Sequence, residues 1–123
     1  MKVKLHVISL WAEDVPATAH FYRDVVGLRL MPLHHDRPHF DLGGQYLVLV
    51  KGAPAMRDVD SPDNFPVLAF GVDNLESAID ELRSHGVALP RGIEEGPGSR
   101  WVQCHDPAGN LIEFVEFSKG LPQ

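Results

Sequence analysis

The segment Asp14-Val15-Pro16-Ala17-Thr18-Ala19-His20-Phe21-Tyr22-Arg23-Asp24-Val25-Val26-Gly27 carries most of the fold information in this chain of 123 residues. Asp14 has a short acceptor side chain suited to the unpaired N–H groups at a helix start. Pro16 falls in the first turn, where a missing N–H costs nothing. Phe21, Tyr22, Val25 and Val26 follow at helical spacing, and Gly27 suits the left-handed residue that closes a helix. A helix is therefore predicted from Asp14 to Gly27.

Working outward, Val3 to Leu10 is rich in apolar and β-branched residues and reads as a strand. Leu28 to Leu33 reads as another. Phe40 to Leu49 places Leu42-Gly43-Gly44-Gln45 between two strand-like runs, a hairpin signal. The first 50 residues thus spell strand, helix and three strands.

The same grammar returns. Val67 to Val72 reads as a strand, and Asn74 caps a helix with Leu75, Ala78, Ile79 and Leu82 as its apolar stripe. Gly86 closes it, Val87 to Leu89 reads as a strand, and His105 to Phe114 reads as a hairpin around Asp106-Pro107-Ala108-Gly109-Asn110. The second module spans 67–117, and the Pro-, Gly- and Asp-containing stretch 51–66 is the linker. Matching caps, terminators and hairpins in one order indicate internal duplication. A lone unit would leave one sheet face bare. Two units are expected to share a curved mixed sheet around a cavity, with the helices outside, giving one α+β domain over 1–123.

Composition sets bounds on function. The apolar share is 44 % and the charged share 23 %, ordinary for a globular protein. The net charge of −6 argues against a nucleic-acid surface and suits a cationic ligand. The single cysteine, Cys104, allows no intrachain disulfide. No apolar run approaches the roughly 20 residues that span a bilayer, and Met1 to Lys4 does not read as a signal peptide. A cytoplasmic protein without membrane contact is expected.

Glu13-Asp14-Val15 leading to Phe21-Tyr22-Arg23-Asp24-Val25-Val26-Gly27-Leu28, together with Asp106-Pro107-Ala108-Gly109-Asn110-Leu111-Ile112-Glu113, resembles the vicinal oxygen chelate superfamily. That superfamily holds glyoxalase I, extradiol dioxygenases and fosfomycin- and bleomycin-resistance proteins. One scaffold there hosts many activities, so the resemblance implies fold more than reaction. Its metal-using members place ligands on the first and last strands of each module. Carried over, those positions are Val7, Val48, Val67 and Glu113. Three valines offer a divalent ion no donor atom, and Glu113 alone holds none tightly. No cofactor is therefore favoured.

Possible substitutes are His6 and His105. His6 adjoins Val7 and points to the opposite face by strand alternation, unless a bulge in the first strand turns it inward. His105 is expected near Leu111, on the face of Glu113, with Gln103 opposite Glu113 and Trp101 two residues further out. Val7, Ser9, Val48, Val67, Trp101, Gln103 and Glu113 are the candidate ligand-lining residues. Trp101 is either a wall of the pocket or ordinary core. Glu113 is either a general acid or base in apolar surroundings or a plain binding group. His34, His35 and His39 read as loop histidines, His20 and His85 as helix residues, Cys104 as a packed thiol, and Gly96-Pro97-Gly98 as a turn.

Two functions follow. The first is a metal-independent binder of a small organic molecule, cationic or neutral, resembling the bleomycin-resistance branch. The second is a divalent-metal-dependent lyase, isomerase or dioxygenase in which His6, His105 and Glu113 form a partial site. The resemblance also implies a homodimer.

Overall fold

A computed structural model describes residues 1–2, 4–32, 37–53 and 67–118. The chain forms two compact units, Met1–Met56 and Arg57–Gln123. Each is a four-stranded mixed sheet with one helix, so the architecture is α+β with two tandem βαβββ modules.

In the first unit the elements are β1 (Val7–Ala12), α1 (Val15–His20), β2 (Arg29–Leu30), β3 (His39–Asp41) and β4 (Tyr46–Lys51). The sheet order is β1-β4-β3-β2, with β1 parallel to β4 and the other pairs antiparallel. Asp14 caps α1 by accepting from the Ala17 N–H at 3.0 Å. The predicted continuous helix changes pitch midway, because Phe21–Val25 is a π-turn in which the Val26 N–H reaches the Phe21 carbonyl at 3.0 Å. That wider turn leaves Phe21 and Tyr22 buried, with the Tyr22 ring 6.1 Å from Phe40. Leu10, Ala12, Leu47 and Leu49 complete this core on one sheet face.

The second unit contains β5 (Leu68–Gly71), α2 (Leu75–Ser84), β6 (Glu94–Gly96), β7 (Ser99–His105) and β8 (Leu111–Phe117), in sheet order β5-β8-β7-β6. Asn74 caps α2 through the Ser77 N–H at 2.9 Å. Leu75, Ile79 and Leu82 are buried, as are Val102, Cys104, Ile112 and Phe114 on the alternating positions of β7 and β8. At the start of α2 the Leu75 N–H donates to Glu116 at 2.7 Å, and Arg100 bridges Glu116 and Glu76.

Three expected strands differ. The first begins at Val7 rather than Val3, which lies outside the described residues. The second is shortened to Arg29–Leu30, with Leu33 outside the described residues. Val87 to Leu89 is no strand at all: the Val87 and Gly86 N–H groups close α2 onto Leu82 and Arg83. Leu89-Pro90-Arg91-Gly92 then turns, with Gly92 at φ 60° bonded back to Leu89. The strand that fills this place is Glu94–Gly96, whose paired glutamates lack strand propensity. Pro97-Gly98 forms the turn between β6 and β7, while Gly96, expected within that turn, ends β6. Among the described residues no helix is long and apolar enough to cross a membrane.

Candidate functional site

Each sheet packs one face on its helix, and the candidate residues lie on the other face. In the first unit, Val7, Ser9 and Trp11 alternate with the core residues of β1. Ser9 sits opposite Val48, which is buried, and Val7 opposite Tyr46. Trp11 is 53 % exposed and its ring lies over Gly52, where an added Cβ would come within 2.7 Å of it. Sequence reading passed over Trp11, although its period-two spacing from Val7 and Ser9 assigns it to this face.

The β1–β4 register is unbroken from Val7 to Ala12, so those residues contain no bulge. His6 lies just before the strand, exposed, with its ring 5.9 Å from Tyr46. His39 is a strand residue rather than a loop histidine, 6.1 Å from the same Tyr46 ring. His34 and His35 lie outside the described residues. His20 pairs with Asp24 and His85 with Glu81 along their helices.

In the second unit the β7–β8 ladder places Gln103 opposite Glu113, His105 opposite Leu111 and Trp101 opposite Val115. These residues share the face turned away from α2. Ala69 flanks Glu113 on the β5 side, and Val67 immediately precedes that strand. Gln103 Nε2 donates to Glu113 Oε1 at 3.1 Å. Arg91, on the turn before β6, donates to Gln103 Oε1 at 3.1 Å. Trp101 is half-buried, its ring resting on Gly96.

Glu94 of β6 sits beside Trp101 on this face. Its Oε1 and the Nε2 of His105 are buried without hydrogen-bond partners among the described residues. Neither Arg91 nor Glu94 carries a sequence signal, since both lie between the expected strand over 87–89 and the expected turn at Gly96, in a stretch that no motif covers.

Asp106 is structural. It is buried at 4 % exposure and accepts from the Ala108 and Asn110 N–H groups and the Asn110 side chain at 2.8–2.9 Å. This network shapes the hairpin that carries Glu113. Cys104 faces α2, and burial, with Asp106 nearby, pushes its thiol up to about 12. On that helix side, Ile79, Leu89, Ile93 and Val102 help line a groove of about 180 Å3.

Among the described residues the donors at the positions carried over from the resemblance do not make a divalent-ion site. Structural and catalytic metal sites need three or four N, O or S donors. Among the described residues no three His, Cys, Asp or Glu side chains gather in such an arrangement. Of the four positions that the resemblance assigns to ligands only Glu113 carries a donor, and one of its oxygens already accepts from Gln103.

Tandem βαβββ units with a polar strand pair opposite the helix define a glyoxalase-like protein. The chain belongs to the Glyoxalase/Bleomycin resistance protein/Dioxygenase superfamily, whose family model matches residues 4–114. Among solved structures it is similar to lactoylglutathione lyase from Agrobacterium tumefaciens, at 26 % identity and TM-score 0.71, covering 94 % of both chains. It is also similar to TnmS3, an antibiotic binding protein from a Streptomyces species, at 24 % identity and TM-score 0.75, covering 95 % of this chain and 98 % of that one. A glyoxalase/dioxygenase from Nostoc punctiforme matches at 22 % identity and TM-score 0.75, covering 98 % of this chain and 92 % of that one. The last two likenesses, at lower identity, speak to fold alone.

Proposed function

We propose that this protein binds a small organic molecule on the face carrying Trp101, Gln103 and Glu113, without a resident divalent ion. The carrying observation is the 3.1 Å bond from Gln103 Nε2 to Glu113 Oε1. The one family-equivalent carboxylate is thereby engaged by a neutral amide, while Val7, Val48 and Val67 present hydrocarbon where metal-using relatives present ligands. In the first module Val7, Ser9 and Val48 are the candidate lining residues of that unit's own sheet face. By resemblance the protein acts as a cytoplasmic homodimer, which sedimentation and fractionation test directly.

The metal-dependent alternative, a lyase, isomerase or dioxygenase using Glu113 with His6 or His105, has the lactoylglutathione lyase likeness in its favour. Thermal unfolding of chelator-treated protein with and without divalent ions separates the two. A specific ion at about 100 times its Kd stabilises by roughly 2.7 kcal/mol, a midpoint rise of about 10 °C for a domain of this size. The binding reading expects no such rise with any ion, and stabilisation by organic compounds. An ion-specific rise that vanishes in Glu113→Ala overturns it in favour of the alternative.

A further inference from the structure

A row of three side chains crosses the face of the second sheet turned away from α2. Arg91 Nη1 donates to Gln103 Oε1, and Gln103 Nε2 donates to Glu113 Oε1, each at 3.1 Å. A guanidinium and a carboxylate therefore stand one amide apart, with a neutral spacer between them. The amide also fixes the polarity of the row. Its acceptor is turned to the cation and its donor to the anion.

Each end has more hydrogen-bonding capacity than Gln103 can take. A guanidinium carries five N–H donors in a planar fork, more than one amide oxygen occupies. Among the described residues Glu113 Oε2 receives no hydrogen bond. The rows on either side each hold a buried polar atom without a partner among the described residues, Glu94 Oε1 beside Trp101 and His105 Nε2 two residues beyond Gln103. Buried polar atoms stay unpaired in a native protein where something else satisfies them. A ligand with a lone cation would be repelled by the guanidinium, and one with a lone anion by the carboxylate. A molecule bearing both charges a carbon atom apart matches the row end for end.

Resting on the ligand-binding reading above, we propose that the Arg91–Gln103–Glu113 row recognises a zwitterionic head, the α-ammonium carboxylate of an amino acid. The ligand's carboxylate takes the guanidinium fork and its ammonium takes Glu113 Oε2. The head thus lies alongside the Gln103 amide with the same polarity. Trp101, two residues along β7 on the same face, receives an apolar side chain.

L-Phenylalanine, phenethylammonium and 3-phenylpropanoate share one ring and differ in the charges they carry. Each is titrated into the full-length 15N-labelled protein, with the Gln103 side-chain amide and Trp101 indole resonances as reporters. Phenylalanine is expected to shift both and to bind about tenfold tighter than either single-charge probe, the value of one charge-assisted hydrogen bond. Arg91→Ala is expected to weaken phenylalanine about tenfold while phenethylammonium holds or tightens. Glu113→Gln is expected to do the same to phenylalanine while 3-phenylpropanoate holds or tightens. Arg91→Lys keeps the charge and is expected to keep most of the preference, which separates loss of recognition from a folding defect.

Binding of either single-charge probe as tightly as phenylalanine overturns the proposal and leaves the binding face in place. Equal weakening of all three probes by Arg91→Ala or Glu113→Gln also overturns it, since the charges then act on the fold and not on the head. If none of the probes moves Trp101 or Gln103, the ligand-binding face itself is refuted, and this recognition with it.

Discussion

Gln103 and Glu113 face each other across the β7–β8 ladder and are joined side chain to side chain at 3.1 Å. An amide opposite a carboxylate supplies a donor without adding charge. Replacing Gln103 with leucine strands a half-buried carboxylate oxygen and is expected to cost about 1–2 kcal/mol. The double variant Gln103→Leu/Glu113→Leu should recover most of that loss. A double-mutant cycle by urea unfolding measures the coupling, and simple additivity would show that the pair contributes nothing.

Asp106 holds three donors in the turn before β8. Asp106→Ala leaves them unpaired in a half-buried turn and is expected to destabilise by about 3 kcal/mol, lowering the midpoint by roughly 10 °C. Calorimetry checks this. A change of only a degree or two would mean that water replaces the carboxylate without loss.

Glu116 receives the first N–H of α2 and the Arg100 guanidinium, in that order of effect, and is held below the usual carboxylate range. Glu76, bonded to the same guanidinium, is lowered too. A depressed carboxylate contributes stability above its unfolded value, near 4.5, and loses it as pH falls through the folded value. Glu116→Gln should therefore be less stable than wild type at pH 7, and the two should converge in acid below about 4.5. Parallel stability curves across that window would contradict this assignment.

The Cys104 thiol, pushed up to about 12 by burial and then by Asp106, stays protonated at neutral pH. Since the thiolate is the reactive form, native protein at pH 8 should resist iodoacetamide, and urea-unfolded protein should react fully. Rapid labelling of the folded chain would place Cys104 in contact with solvent.

Much of the candidate site's strand geometry was legible because its strands obey local rules. The turn residues Asp106 to Asn110 fixed the hairpin register, and period-two alternation then put Gln103, His105 and Glu113 on one face and Cys104 on the other. The strand over Val87 to Leu89 misled because its apolar residues look the same whether they extend or close a helix. Only the hydrogen bonds of Gly86 and Val87 distinguish those outcomes.

The sequence by itself determined the duplicated βαβββ grammar, its caps and its hairpins. These follow from short-range sterics and hydrogen bonding, which act between residues a few positions apart. Tertiary structure decided that Arg91 reaches Gln103 and that Glu94 stands beside Trp101. Those contacts join a turn and an edge strand to a neighbouring strand, and no periodicity along the chain encodes which distant side chains meet. The π-turn at Phe21 belongs with them, because widening one helical turn is repaid only by packing such as that of Tyr22 against Phe40.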